Sequence, residues 1–313
     1  MVDLNIKLPE DFLCEEERCE FKVTQKRKEV WAVELDLLNQ FDKVCKKHDI
    51  QYMAIGGTLL GAVRHKGFIP WDDDIDVAMT RENYDKLCSV SQEFSEPYLL
   101  QYFKNDKVTL SGAKLRNINT TALLRTHIKS KVKYCHNEGI FIDIFPLDNL
   151  PDDEKVRDRF VKKLRFYRKW VRIAYALTDG YIPKRADLKR QIAHFLYKCF
   201  FAKKYSCDSI FEKFINESKK YNGKDTKLMG MLNFVKNDER FWFKSDDFKQ
   251  LKKVEFEFTE IYITENYDNA LKQMYGNYMK YVVGGSWHED VIFDTNIAYE
   301  QYIKKIPENE ALV

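Results

Sequence analysis

The sequence lacks the long apolar runs and biased stretches that define several protein classes. No segment of its 313 residues approaches the roughly 18 consecutive apolar residues of a membrane-spanning helix. With 12 Gly and 7 Pro, the chain is neither collagen-like nor of low complexity. Residues 1–10 contain no apolar core of a signal peptide. We therefore expect a cytoplasmic protein, or one that is peripheral at the inner face of a membrane.

Disulfide and zinc frameworks are also missing. The seven Cys are odd in number and have no paired spacing. Cys14, Cys19, Cys135 and His136 are the best zinc candidates, but zinc ligands are usually two to four residues apart and nothing completes a finger. The favoured interpretation is a set of reduced, structural thiols.

What the chain does contain is a core-forming composition with unevenly distributed charge. Apolar residues make up 44% and charged residues 32%, which indicates a globular fold. The net charge is only +3, but residues 155–204 contain 16 Lys and Arg against three acidic residues. Aromatic and apolar residues recur in this basic segment at three- and four-residue steps, which predicts amphipathic helices.

Two interpretations of the basic segment stay open. Its helices form a subdomain with a solvated face, or they contact an anionic partner such as a membrane surface or an acceptor. Nucleic acid is disfavoured as a partner, because the sequence contains no module that recognises DNA or RNA.

Helical and strand patterns mix along the chain without an internal repeat. Helices are predicted for residues 24–47, 59–65, 81–94 and 269–281. Thr24 and Thr80 are the predicted N-caps of the first and third helices. Strands are predicted for residues 51–55, 75–79, 139–145 and a pair within 254–264, with a meander at 99–103, 114–117 and 122–126. Pro146 is expected to end its strand, and residues 148–154 to form a linker. This order predicts an α+β fold with a small mixed sheet flanked by helices.

Polar breaks divide the chain into three predicted parts. These are a catalytic core over residues 1–150, a basic helical subdomain over 151–225, and a C-terminal part over 226–313 that packs back on the core.

The most informative stretch runs from Gly56 to Asp76. Gly56 and Gly57 follow a predicted strand and lead into a helix, so that their backbone N–H groups, with the Thr58 hydroxyl, suit a phosphate. Asp74 and Asp76 lie two residues apart on a predicted strand and therefore share one face. Carboxylates so close repel each other unless a cation lies between them, which predicts a site for Mg²⁺ or Mn²⁺ with a bound phosphate.

Two further carboxylates extend this candidate site. Asp143 lies on another predicted strand and faces away from its apolar neighbours. If the two strands are adjacent, Asp143 joins Asp74 and Asp76 in a metal site for phosphoryl transfer. Asp72 has the same strand parity as Asp74 and is a fourth candidate ligand.

At these residues the sequence resembles the LicD family, within the nucleotidyltransferase-like superfold. Residues 55–57 and 74–77 match the loose pattern of the superfold, and residues 58–65 and 68–74 match the sequence motif that is specific to the family. Further matches at 114–116, 141–147 and 275–279 extend the resemblance over roughly residues 26–279. One departure is that no proline pair follows the Tyr-Gly motif at residues 275–276.

The resemblance implies a nucleotidyltransferase-like core and a Mg²⁺-dependent transferase. It implies transfer of a phosphorylated alcohol, such as phosphocholine, from a CDP-activated donor to a cell-surface or lipid-linked glycan, with release of CMP. Lipopolysaccharide, teichoic acid and capsule are the acceptor classes that it suggests. Arg64, Lys114 and Arg116 then become candidates to neutralise the donor phosphates, and His288 lies in a Gly-rich loop that can close on the donor.

Two other functions stay open on the sequence alone. One is a nucleotidyltransferase that moves a nucleoside monophosphate onto a small molecule and releases pyrophosphate. The other is a non-catalytic, membrane-associated assembly factor that uses the basic helices. The retained carboxylate set disfavours this factor, because such groups are costly to hold together without a cation.

Overall fold

The computed structural model describes residues 1–106, 112–125, 136–178, 192, 195–201, 206–232, 239–283 and 291–305. Helices and strands mix throughout these residues, which confirms the α+β class. Much of the second half of the basic segment lies outside the described residues, as does His288.

The regular elements are defined as follows, in chain order. Helices are α1 (Gln25–Lys47), α2 (Gly56–Arg64), α3 (Arg81–Ser89), α4 (Phe103–Asp106), α5 (Glu154–Thr178), α6 (Cys207–Ser218), α7 (Tyr267–Tyr275) and α8 (Tyr299–Lys305). Strands are β1 (Glu16–Arg18), β2 (Phe21–Val23), β3 (Met53–Ala54), β4 (Asp76–Thr80), β5 (Tyr98–Gln101), β6 (Ala113–Asn117), β7 (Thr121–Leu124), β8 (Ile140–Leu150), β9 (Leu228–Gly230), β10 (Trp242–Lys244), β11 (Leu251–Phe256), β12 (Thr259–Thr264) and β13 (Val291–Asp294).

Helix α1 forms where the sequence predicts it. The Thr24 hydroxyl caps it by accepting a hydrogen bond of 3.3 Å from the Arg27 N–H. The predicted apolar face is buried and packs on the central sheet, with Val30, Val33, Leu37, Phe41 and Val44 among its side chains. Thr80 caps α3 in the same way, although α3 ends at Ser89, earlier than predicted.

The long strand β8 organises the central sheet. It pairs parallel with β4 and antiparallel with β6, and each of these continues to one more strand, β3 and β5 respectively. At its far end β8 pairs with β9, which pairs with β10. The predicted meander is wrong for its last strand, because β7 pairs with β13 instead of β6.

Strand β8 continues through Pro146, so the predicted strand end is wrong. The Asp143 N–H points toward β4 and bonds the Ile75 carbonyl over 2.9 Å. Because N–H directions alternate along a strand, the nitrogen of Pro146 points away from β4. On that side the described part of β6 ends opposite Ile144 and β9 begins opposite Asp148, so within the described residues no ladder hydrogen bond is lost to the proline. The predicted linker is shorter too, because Asp148 is a strand residue whose carboxylate pairs with buried Arg81.

The basic segment contributes a second, smaller core. Helices α5 and α6 pack together around buried apolar side chains that include Phe160, Leu164, Phe211 and Phe214. Other apolar side chains of the segment are exposed, namely Phe166, Ile192, Phe195, Leu196 and Phe200. No helix within the described residues has both the length and the apolar character needed to cross a membrane. The three-part domain division stays a prediction.

Candidate active site

The glycine turn lies at the start of a helix. Helix α2 begins at Gly56, three residues before the predicted start, so both glycines belong to its first turn. Gly56 has φ of +59°, a conformation that favours glycine. A Cβ at Gly57 would clash with Oδ2 of Asp72. The two glycines therefore let the carboxylates of Asp72 and Asp76 approach the N-terminus of α2 closely.

Thr58 makes a hydrogen bond within the protein, and its predicted phosphate contact stays a prediction. Its side chain is buried, and its hydroxyl accepts a hydrogen bond of 2.7 Å from the Asp76 N–H. The Asp76 carbonyl in turn accepts a bond of 3.1 Å from the Ile55 N–H. Thr58 thus ties the start of β4 to the start of α2.

Asp76, Asp143 and Lys114 form a row across three neighbouring strands. In the sheet register Asp76 lies directly beside Asp143, and Asp143 directly beside Lys114. Directly paired residues point to the same face of a sheet, so the three side chains share one face. The Lys114 ammonium contacts the two carboxylate oxygens of Asp143 at 2.9 and 3.0 Å. The structure thereby brings together two of the predicted carboxylates, Asp76 and Asp143, and one of the predicted basic residues, Lys114.

Asp74 reaches the site from a loop, and not from a strand as predicted. Strand β4 begins only at Asp76, so the two-residue spacing does not set the direction of the Asp74 side chain. The Asp74 charge is nevertheless close to its neighbours. Burial, followed by the carboxylates of Asp74 and Asp73, raises the pKa of Asp72 well above its usual value. Asp72 and Asp74 therefore belong to one crowded acidic loop.

No role was predicted from the sequence for two residues that lie beside this acidic loop. Glu34 of α1 is fully buried, and among the described residues nothing hydrogen-bonds its Oε2 atom. Burial, followed by the charges of Asp74, Asp73 and Asp72, raises its pKa. Tyr275 lies on the other side of the glycine turn, with its hydroxyl 4.0 Å from the position of a Cβ at Gly56. A charged residue on the apolar face of α1 was a usable sequence signal for Glu34.

The donor set fits Mg²⁺ or Mn²⁺ in its chemistry. Carboxylate oxygens are the ligands that these cations prefer. A cation would offset the negative charge of the many carboxyl groups here, among which the Oε2 atom of Glu34 has no hydrogen-bond partner in the described residues. Within the described ranges, however, no three acidic, His or Cys side chains converge in a ligating arrangement. Asp143, if it binds a cation, must share its charge between that cation and Lys114.

Arg64 lies away from the glycine turn. It ends α2, about 12 Å along the helix axis from Gly56 at 1.5 Å per residue. Its guanidinium donates to the Tyr278 carbonyl at 2.7 Å and to Nε2 of His65 at 2.9 Å, and it stacks on Tyr281. In this structure Arg64 joins α2 to the chain after α7, and its contact with a donor phosphate stays a prediction.

Arg116 shares the sheet face of Lys114 but is turned to other partners. It is buried, and its guanidinium donates to Gln101 at 2.8 Å, to the Gly139 carbonyl at 2.6 Å and to Glu138 at 3.2 Å. Arg116 therefore fastens β6 to β5 and to the start of β8, and its contact with the donor stays a prediction.

Comparison with known proteins identifies the family. Residues 49–174 match the family model described as LicD/FKTN/FKRP, nucleotidyltransferase domain. The lipopolysaccharide cholinephosphotransferase LicD of Haemophilus influenzae is 31% identical over 262 residues, which cover 79% of this chain and 88% of that protein. The chain belongs to the LicD family.

Two shorter matches accompany this LicD relationship. An uncharacterised protein of Rickettsia prowazekii is 33% identical over 116 residues, 37% of this chain and 39% of its own. Another from Rickettsia typhi is 31% identical over 119 residues, 38% of this chain and 35% of its own. The LicD family model spans the glycine turn, the acidic loop, Lys114 and Asp143, whereas Glu34 and Tyr275 lie outside it.

His65 gives this LicD-family protein a testable pH dependence. Burial, followed by the charges of Arg64 and Arg18, lowers the pKa of His65 from 6.5 to about 4. Between these values the unfolded chain binds a proton that the folded protein does not, so stability falls as the pH drops from 6.5 to 4. We expect His65→Gln to lose less stability than the wild type between pH 7 and pH 5 in thermal unfolding. An equal loss in both proteins would contradict a neutral, half-buried His65.

Proposed function

We propose that this LicD-family protein transfers phosphocholine from CDP-choline to lipopolysaccharide or a related lipid-linked glycan and releases CMP. The activity in the name of the Haemophilus influenzae relative supports the transferred group and the acceptor class. The row of Asp76, Asp143 and Lys114 beside the N-terminus of α2 is the observation that carries the proposal. It supplies carboxylates and a positive charge next to backbone donors that suit a diphosphate.

In this proposal the acidic residues hold a divalent cation. Asp76 and Asp143 would bind Mg²⁺ or Mn²⁺, with Asp74 and Asp72 as the further carboxylates of the loop. When bound, the cation neutralises charge on the diphosphate of the donor. The N–H groups of the first turn of α2 bind phosphate oxygens, because the glycines leave them open to close approach.

Residues on the sheet face that carries Asp143 and Lys114 take part in the proton transfer. Asp143 accepts the proton of the acceptor hydroxyl, while Lys114 holds the Asp143 carboxylate in place at 2.9 Å. The hydroxyl oxygen then bonds to the phosphorus that carries choline. The bond from that phosphorus to the bridging oxygen breaks, and CMP leaves with the electron pair. Positioning and charge neutralisation supply most of the rate enhancement in such a reaction.

Asp76→Asn tests the site assignment. The change keeps the side-chain shape and removes one charge, so we expect CMP release from CDP-choline to fall by about a hundredfold or more. We also expect weaker thermal stabilisation by Mn²⁺ alone, because a ligand that binds only the folded state raises the melting temperature. The matched control is Asp246→Asn, at an aspartate whose side chain is 81% exposed. Wild-type activity in the Asp76 variant would contradict the assignment.

A nucleotidyltransferase activity is the second candidate function. The description of the matched family model names such a domain. The two reactions break different bonds and release different products, CMP in one case and pyrophosphate in the other. The non-catalytic alternative is disfavoured, because Lys114 and Asp143 are kept as a largely buried ion pair beside a second carboxylate.

We further propose that the basic segment contacts the membrane that carries the acceptor. Three aromatic side chains in its described part are strongly exposed, Phe166 at 57%, Phe195 at 65% and Phe200 at 70%. They lie in a stretch whose charge is predominantly positive, and this combination suits an anionic lipid surface.

Removal of two exposed aromatics tests the membrane contact. We expect the double variant Phe166→Ser/Phe200→Ser to bind vesicles of anionic lipid about tenfold more weakly, since a loss of roughly 1.4 kcal/mol of binding free energy corresponds to tenfold. Met279→Ser, at a side chain that is 58% exposed elsewhere, is the control. Cosedimentation with vesicles measures the effect. Equal binding by the double variant and the wild type would contradict the contact.

A further inference from the structure

One backbone carbonyl of the acidic loop is held from helix α1 by two side chains. Arg27 donates a hydrogen bond of 2.8 Å to the Asp72 carbonyl oxygen, and the indole N–H of Trp31 donates one of 3.0 Å to the same atom. Arg27 and Trp31 are four residues apart and so lie on one face of α1. Since a carbonyl oxygen has two lone pairs, both are used, and the direction of this peptide group is fixed.

The core sets the direction of the Trp31 N–H. Trp31 is completely buried, and its ring is stacked on Phe68 with the ring centres 4.7 Å apart and the planes at 3°. The Phe68 N–H bonds Glu257 over 3.0 Å, and both carboxylate oxygens of Glu257 accept hydrogen bonds from Arg18. The indole is thus held by packing on Phe68. The hydrogen bonds that fix Phe68 in turn do not involve the acidic loop.

The other end of the acidic loop is held by the sheet. The Ile75 carbonyl accepts a hydrogen bond from the Asp143 N–H, and the Asp76 N–H donates to Thr58. Asp73 and Asp74 therefore connect two fixed points, Asp72 and Ile75. Repulsion among the neighbouring carboxylates favours an outward movement of this connection, and the bonds at Asp72 oppose that movement.

We propose that Trp31, together with Arg27, is a positioning residue of the active site. By fixing the Asp72 carbonyl, these side chains fix the directions in which Asp72 and Asp74 present their carboxylates beside Gly57. The inference rests on the proposed function, because it concerns the same carboxylates, but it assigns a role to a buried helix face on the far side of the loop. In this proposal Arg27 and Trp31 act through the Asp72 carbonyl, and Trp31 is completely buried.

Trp31→Phe is the most direct test. Phenylalanine keeps a ring that stacks on Phe68 and removes the N–H that reaches Asp72. We expect kcat for CMP release to fall on the order of tenfold, because small displacements of reacting groups are costly. The affinity for Mn²⁺ alone, measured by electron paramagnetic resonance, falls in parallel. The KM for CDP-choline changes little, because the first turn of α2 is untouched.

Tyr52→Phe is the matched control, because it removes a buried hydrogen bond to the same helix. The Tyr52 hydroxyl is buried and donates a hydrogen bond of 3.0 Å to Asp42 of α1. Asp42 lies about 22 Å along the helix from Arg27, at 1.5 Å per residue. We expect Tyr52→Phe to lower the melting temperature about as much as Trp31→Phe, while its kcat and Mn²⁺ affinity stay at the wild-type values. Arg27→Met, at a half-buried position, is the second test variant if Trp31→Phe does not fold.

The outcomes separate this inference from the proposed function. Loss of kcat and Mn²⁺ affinity in Trp31→Phe or Arg27→Met, but not in Tyr52→Phe, supports the positioning role. If the wild type binds Mn²⁺ and releases CMP, and the Trp31 and Tyr52 variants behave alike, only the positioning role is overturned. If the wild type neither binds Mn²⁺ nor releases CMP, the proposed function is overturned, and this inference with it.

Discussion

Repulsion among neighbouring carboxylates is the constraint on which the rest of the site depends. Asp72, Asp74 and Asp76 follow one another along a short stretch of chain, and Asp143 lies directly beside Asp76 in the sheet. Asp73 lies in the same stretch, and buried Glu34 adds a further carboxyl group within electrostatic reach of the loop. Such an arrangement costs free energy unless positive charge and firm backbone anchors oppose it.

The fold provides those anchors from three directions. Lys114 contacts Asp143 from the neighbouring strand, and Arg27 brings a guanidinium to the backbone of Asp72 from helix α1. Thr58 holds the backbone of Asp76 from helix α2. The glycines at the start of α2 leave room for the carboxylates and for an anionic ligand at the helix N-terminus. The elements that tolerate the repulsion are therefore the same ones to which we assign the phosphate and the cation in the proposed function.

Local signals in the sequence were sufficient for part of this site. Strand parity predicted that Asp143 and Asp76 share a face if their strands are adjacent, and the register shows that they are. The cap at Thr24 depends on contacts within one helical turn, and it was predicted correctly. Glycines that precede a helix were also a local signal, although the helix starts earlier than the pattern suggested.

Long-range contacts decided what the sequence did not predict. Arg64 bonds the carbonyl of Tyr278, 214 residues away, and no local pattern reveals that partner. Pro146 is tolerated because of where β6 ends and β9 begins, which depends on strand pairing across the whole sheet. The backbone of Asp72 is anchored by side chains 41 and 45 residues earlier, whose spacing in α1 is indistinguishable from that of ordinary core residues.

Product analysis by phosphorus-31 NMR tests the central claim most directly. The purified protein is incubated with CDP-choline, Mg²⁺ and a lipopolysaccharide acceptor that lacks phosphocholine. The account predicts that the diphosphate signals of CDP-choline decline while CMP and a phosphodiester signal on the acceptor grow in equal amounts, and that chelation of Mg²⁺ stops both. Formation of pyrophosphate from a nucleoside triphosphate, with CDP-choline left intact, would contradict it and favour the nucleotidyltransferase.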